Sequence, residues 1–290
     1  MKIKYRSNYF DDADAKASFE RYAEKIFGLN FSRWKDRGLW DKRYRPFSAF
    51  VDGECVASIC VYPSEMSVGG ERKLGAQLLT VGTLPEYRSR GIQREIWERA
   101  HAWIRRECDF VFLFTDEMAA GFYQKLGLRR QPEFSEIIRC PPGTSSAPRR
   151  FRKLNLETDS DFAVIGRLAK ERVMVSDKIG FFNPRLLLFM FLYSYQEWSY
   201  FLEDIDAVIV AEETADRLRI HDIVATEMPQ LSDVGMFLAH FGKEDIEFLF
   251  CTDRVGAGPS RKEKVEESLL FVSDGFALAG EFIFPSSIRA

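Results

Sequence analysis

The stretch Leu78-Leu79-Thr80-Val81-Gly82-Thr83-Leu84-Pro85-Glu86-Tyr87-Arg88-Ser89-Arg90-Gly91-Ile92-Gln93 reads as an apolar strand that turns into a helix through a short basic loop. Pro85 closes the strand, since it has no N–H to give to a ladder. Beyond the loop, Ile92, Ile96, Ala100, Trp103 and Ile104 recur at helical spacing, with Arg94, Glu95, Glu98, Arg99 and Arg105 around them. A helix start leaves four backbone N–H groups without intrahelical partners and carries about half a positive charge, so an anion such as phosphate fits there. Arg88 and Arg90 raise the local positive potential, and Gly91 lets the backbone approach a ligand without a Cβ in the way. Phe110-Val111-Phe112-Leu113-Phe114 follows as a strand buried on both faces. Strand, helix and strand in this order make a βαβ unit, so its two strands should be parallel.

About thirty residues after the loop stands a second signal, Phe122-Tyr123-Gln124-Lys125-Leu126-Gly127-Leu128. Together the two resemble the GNAT acetyltransferase superfamily, whose cofactor motif is V-x-x-x-P-x-x-[RQ]-x-x-G-x-[GA] and whose later signature is F-Y-x-K-x-G-F. The first is carried by Val81, Pro85, Arg88, Gly91 and Gln93, the second by Phe122, Tyr123, Lys125, Gly127 and Leu128. Gln93 stands where that superfamily has a small residue, and Leu128 replaces the common Phe. The resemblance implies acetyl-CoA as cofactor, held by Val81, Thr83, Arg88, Ser89, Arg90, Gly91, Ile92 and Gln93. It gives the Val81 backbone N–H the role of polarising the thioester carbonyl and Tyr123 that of general acid to the departing sulfur. It also implies a bulge near Gly82 that splays two parallel strands for the pantetheine arm; a glycine in a strand marks either such a bulge or a close backbone approach.

Upstream, Lys2 to Arg6 is expected as a strand and Asp12 to Phe27 as an amphipathic helix capped by Asp11 or Asp12 and ended by Gly28. The basic, aromatic segment Phe31 to Trp40 is either part of an acceptor wall or a helix using Trp34 and Trp40 as core anchors. Phe47–Val51 and Val56–Tyr62 read as strands joined at Asp52-Gly53, followed by a strand from Met66 that turns at Gly69-Gly70 and returns as Lys73–Thr83. Glu117–Leu126 reads as a short helix and Phe134–Cys140 as a strand.

Pro141 to Arg150 is the clearest linker, rich in proline and nearly free of apolar residues. It divides a catalytic domain, 1–140, from a second domain, 151–290. The second half reads as a worn copy of the first: setting Val81 against Val224 and Pro85 against Pro229 places the copies roughly 143 residues apart. After Pro229, both arginines are gone and Asp233 stands where a pyrophosphate would sit, so one cofactor per chain is expected. A similar pairing of one active and one degenerate half occurs in the enhanced-intracellular-survival type of aminoglycoside acetyltransferases, whose further sterol-carrier-like domain this chain is expected to be too short to contain in full. The segment 274–290 is expected to reach back to the first half. The fold class that follows is α+β/α/β, two GNAT-like folds, each a mixed, mostly antiparallel sheet flanked by helices.

With 290 residues, 46% hydrophobic content and a net charge of −3, the chain can bury two cores and offers no global basic field for nucleic acid. Five cysteines without a C-x-x-C pair argue against a disulfide framework or a metal site and fit a reducing cytoplasm. The most apolar window, Leu186–Tyr195, is too short to span a bilayer and reads as a buried helix. No membrane association is expected, and homo-oligomerisation is left open. The reading that follows is an acetyl-CoA-dependent N-acetyltransferase acting on a primary amine of a small molecule or peptide. The alternative is a catalytically silent acyl-CoA-binding or scaffold protein. Glu86, Asp116, Glu117 and, by resemblance only, the Ala290 carboxylate are the candidates for general base.

Overall fold

The computed structural model describes residues 2–140, 150–266 and 269–289, which form two compact units. The first comprises Met1–Ser64, Lys73–Gln131 and Leu269–Phe276; the second comprises Glu65–Arg72, Pro132–Ser268 and Ala277–Ala290. In chain order the elements begin with β1 (Ile3–Ser7), α1 (Ala13–Phe27), α2 (Ser32–Asp36), β2 (Arg45–Val51), β3 (Glu54–Val68), β4 (Glu71–Thr83), α3 (Ile92–Glu107), β5 (Phe110–Thr115), α4 (Glu117–Lys125) and β6 (Arg129–Gln131). They continue with β7 (Phe134–Arg139), β8 (Phe151–Lys153), α5 (Asp159–Glu171), β9 (Ile179–Phe182), α6 (Pro184–Tyr193), β10 (Ser199–Leu202), β11 (Ala207–Glu213), β12 (Arg217–Ala225), α7 (Leu231–His240), β13 (Asp245–Phe248), β14 (Arg261–Lys264) and β15 (Leu269–Val272).

Local chemistry sets several boundaries. Asp12 caps α1 by accepting from the Ala15 N–H at 3.0 Å, and Gly28 ends it in the left-handed conformation at φ 64°. Asp52 and Gly53, at φ 52° and 89°, make the two-residue turn between β2 and β3, both central residues lying where a tight hairpin turn needs them. The two strands foreseen on either side of Pro63 are a single 15-residue strand, β3. Along its length β3 changes partner, from β2, which it pairs up to Val61, to β9, which it pairs from Glu65. Pro63 falls in the gap, where a missing N–H costs no ladder bond on that side.

The first sheet has the order β1-β2-β3-β4-β5-β15-β6, and the second, read from its other edge, β8-β10-β11-β12-β13-β7-β14. The orders match position for position, and in each the central pair is parallel: Gly75–Gln77 with Phe110–Phe112, and Arg217–Ile220 with Asp245–Phe248. β1–β2, β2–β3 and β5–β15 in the first sheet and β11–β12 and β13–β7 in the second run antiparallel, so each unit is the mixed, mostly antiparallel sheet that the sequence implied.

Division into 1–140 and 151–290 does not describe the units. β7, written in the first half, sits between β13 and β14, pairing Asp245–Phe248 with Arg139–Glu136 on one side and Arg261–Lys264 with Ile137–Phe134 on the other. β15, from the second half, sits between β5 and β6. The two halves have exchanged equivalent strands. The foreseen reach-back is likewise shorter and earlier than expected: Leu269–Phe276 joins the first unit, while Ala277 onward belongs to the second. The expected linker, 141–150, lies outside the described residues except for Arg150.

In the second unit Arg172 donates to both carboxylate oxygens of Asp222 at 2.8 Å, and the two side chains are 2% and 0% exposed. Removing one member strands a buried charge, so Arg172→Met should cost about 3–5 kcal/mol, read as a lower urea midpoint at unchanged slope. Among the described residues no helix is long and apolar enough to cross a membrane.

Candidate active site

The ladder between β4 and β5 stops at Gln77–Phe112, although β4 continues to Thr83 and β5 to Thr115. Beyond it β4 carries a kink: Thr80 adopts φ 47°, a left-handed conformation costing a β-branched residue about 1–3 kcal/mol. The irregularity therefore falls at Thr80 and not at Gly82. Gly82 serves the other role foreseen for it, close approach: a Cβ there would lie 2.9 Å from Phe27 Cζ and 2.9 Å from the Tyr22 hydroxyl of α1. Gly82→Ala should cost about 1–3 kcal/mol through overpacking, visible as a lowered Tm.

β4 leads into a 3-10 turn at Pro85–Tyr87 and then a loop in which Ser89 and Gly91 both take positive φ, 59° and 75°. Gly91 is the N-cap of α3 and offers no side chain to its first turn. The orphan N–H groups of that turn are left to the cleft, which suits an anionic ligand. Arg88 and Arg90 are anchored to the loop's own backbone, Arg88 Nε donating to Thr83 O at 3.1 Å and Arg90 Nη2 to Glu86 O at 2.8 Å. They hold the loop's shape as well as supplying charge.

A cavity of about 550 Å³ opens here, and its lining includes every residue the sequence singled out for the cofactor: Val81, Thr83, Arg88, Ser89, Arg90, Gly91, Ile92 and Gln93. Tyr123 lines it too, with Gly82, Tyr87, Arg94, Met118, Ala119 and Phe122. Gln93, the departure from the motif, turns its amide back to the strands, donating to Ser58 O at 3.2 Å and to Gly82 O. Its bulk is thus spent on tying α3 to β3 and β4.

Tyr123 is buried on α4, its ring 5.9 Å from Phe271 of β15 and 5.2 Å from Phe122. Burial pushes its hydroxyl up to about 12; the Thr115 side chain, hydrogen-bonded to it, opposes the rise and the nearby Asp116 carboxylate adds to it. The group holds its proton at neutral pH, as a donor must.

The base candidates are occupied elsewhere. Asp116 caps α4 by accepting from Ala119 N–H at 2.9 Å, Glu117 pairs with Arg130 at 3.0 Å, and Glu86 faces Lys25 at 3.6 Å. None of the three lines the cavity. Ala290 lies outside the described residues. Trp34 and Trp40 are both buried, at 1% and 7% exposure, and stack 6.1 Å apart, the core-anchor alternative. What the sequence missed is Phe271, which backs Tyr123 from a strand written some 150 residues later; no local signal links them.

The equivalent place in the second unit is built differently. Gln230 and Asp233 form a capping box at the start of α7, the Asp233 carboxylate accepting from Gln230 N–H at 2.9 Å, so donors that α3 leaves open are satisfied internally. Past the end of the β12–β13 ladder the chain's own Ser286 bridges the two strands, its N–H donating to Leu249 O at 3.0 Å and its hydroxyl to His221 O at 3.3 Å.

Residues 15–130 match the family described as "Acetyltransferase (GNAT) domain". No curated protein matches the sequence. Among solved structures, a probable N-acyltransferase of unknown function from Enterococcus faecalis V583 is similar at TM-score 0.62 and 13% identity, over 94% of this chain and 72% of that one. Eis1 from Mycobacterium abscessus is similar at TM-score 0.56 and 16% identity, over 93% and 73%. A GCN5-related N-acetyltransferase from Kribbella flavida gives 0.54 and 14%, over 93% and 71%. At such identities the likeness is one of fold, and it extends over both units. Residues 15–130 thus match a GNAT acetyltransferase domain, and the second unit repeats the strand order of the first.

Proposed function

We propose that the protein is an acetyl-CoA-dependent N-acetyltransferase acting on a primary amine of a small molecule or peptide in a reducing cytoplasm, with the first unit catalytic and the second degenerate. The observation that carries this reading is the convergence of the Val81–Gln93 backbone, an uncapped helix start and a protonated Tyr123 on one cleft. The residues fit the cofactor: positive-φ backbone at Ser89 and Gly91 forms a backbone cradle, and the Gln93 amide is tied back to the Gly82 carbonyl. Bound acetyl-CoA would supply the acyl thioester that an amine nitrogen attacks directly, yielding an amide and a thiol.

In this reading the N–H groups from Arg88 to Gln93 hold the pyrophosphate, and the parted strands β4 and β5 receive the pantetheine arm. Val81 N–H donates to the carbonyl oxygen as charge builds on it, a contact whose removal in comparable sites costs about 10²–10³ in rate. Tyr123 gives its proton to the sulfur as it leaves. With its closest carboxylates engaged in a cap and in ion pairs, the site fits an amine that arrives neutral or loses its proton through water.

Isothermal titration with coenzyme A tests the reading: one site per chain is expected, because α7 is capped by its own side chains where α3 is open. Absence of binding at millimolar ligand overturns it, and two equal sites overturn the degenerate role of the second unit. Thiol release with a panel of amines then separates an enzyme from a silent binder.

A further inference from the structure

Behind the kink of β4 lies a ring cluster that the proposed chemistry does not use. Tyr44 is 4% exposed, with Phe31, Trp34, Trp40 and Tyr62 around it at ring distances of 5.5–6.1 Å. Within this cage its hydroxyl meets the Thr80 hydroxyl in a hydrogen bond. The buried Cys60 thiol stands beside both, 3.7 Å from Ser58 Oγ, and burial pushes it up to about 11. Thr80 is the residue at φ 47°. If the strand needed only a bend, glycine would give it without a Cβ penalty, and β4 already uses glycine at Gly75 and Gly82. What glycine cannot supply is the hydroxyl.

The peptide joining Thr80 to Val81 is planar, so the direction of the Val81 N–H follows from the torsions of Thr80. We propose that Tyr44 is a positioning residue: through its bond to Thr80 it fixes the kink that aims the Val81 N–H into the cleft. The inference rests on the reading of Val81 as the donor to the thioester carbonyl. It assigns a purpose to a hydroxyl pair that lies outside the lining of the cleft.

Infrared difference spectra of acetyl-CoA carrying a 13C carbonyl, bound to the full chain, test it alongside steady-state kinetics. In the wild type the bound carbonyl stretch should lie below its solution frequency. Tyr44→Phe and Thr80→Val should return most of that shift and lower kcat about tenfold, within the range that small misplacements cost, with KM for acetyl-CoA unchanged. Thr80→Ser, which keeps the hydroxyl, should restore shift and rate relative to Thr80→Val. A shift retained in both Tyr44→Phe and Thr80→Val overturns the positioning role and leaves the Val81 reading standing. No shift in a wild type that binds acetyl-CoA overturns the Val81 reading, and the positioning role with it. Should Tyr44→Phe lose coenzyme A binding through misfolding, the Thr80→Val and Thr80→Ser pair decides by the same measurement.

Discussion

Tyr123→Phe is expected to lower kcat by about 10²–10⁴-fold while leaving coenzyme A affinity unchanged. The phenyl ring keeps the packing against Phe122 and Phe271, so the loss reads the proton and not the fold. Titration calorimetry paired with thiol-release kinetics separates the two quantities. A mutant that turns over the amine panel at wild-type rate would remove Tyr123 from the reaction. The pH profile offers a second check. Since burial raises the hydroxyl to about 12, the acid stays protonated, and activity should show no alkaline fall due to this group until pH nears that value. The same shift has a sign for stability. The unfolded tyrosine ionises near the ordinary value of 10.0 and the folded one near 12, so its contribution is intact below pH 10 and is lost as pH rises from about 10 to 12.

The second large effect is on folding. A fragment of residues 1–140 lacks β15, so the edges of β5 and β6 have no partner between them. It also carries β7, a mostly buried strand whose own partners, β13 and β14, are missing. Such a fragment should show no cooperative unfolding transition and no coenzyme A binding. A fragment ending at Gln131 and continued through a short glycine-serine loop into Leu269–Phe276 should recover both. If 1–140 alone unfolds cooperatively and binds coenzyme A, the exchanged strand is dispensable. The same packing makes Phe271→Asp severe: the ring is fully buried, and losing it while burying an unpaired carboxylate sums two costs of several kcal/mol each.

Much of the first unit was legible because its signals are local. Leu78 to Gln93 spells strand, stop, loop and helix within sixteen residues, Asp12 and Gly28 bracket α1 by a side-chain cap and a left-handed backbone, and Asp52-Gly53 names its turn. The strand exchange was not legible, because Phe134-Ser135-Glu136-Ile137-Ile138-Arg139 and Leu269-Leu270-Phe271-Val272 are both plain strand sequences. Which sheet each joins depends on partners more than a hundred residues away, and strand pattern carries no address. β9, β10 and β14 escaped notice for a related reason: each has only four residues, too few to show a period. Gln93 could be flagged as unusual from sequence, but its direction is set by carbonyls of two other strands. The Tyr44–Thr80 pair left no trace, since a positive φ at a threonine contradicts its residue type.

The exchanged strand also has a consequence in time. A ribosome delivers Gln131, the end of β6, long before Val272, the end of β15; the 141 residues between them (272 less 131) take roughly 7–28 s at about 5–20 residues per second. Throughout that interval the nascent first unit holds Phe110–Thr115 and Arg129–Gln131 as two open edges around an empty slot. The first unit, begun first, is therefore among the last to be finished. Its exposure to mispairing with a neighbouring nascent chain, which carries the same slot and the same strand, is written into the order of synthesis.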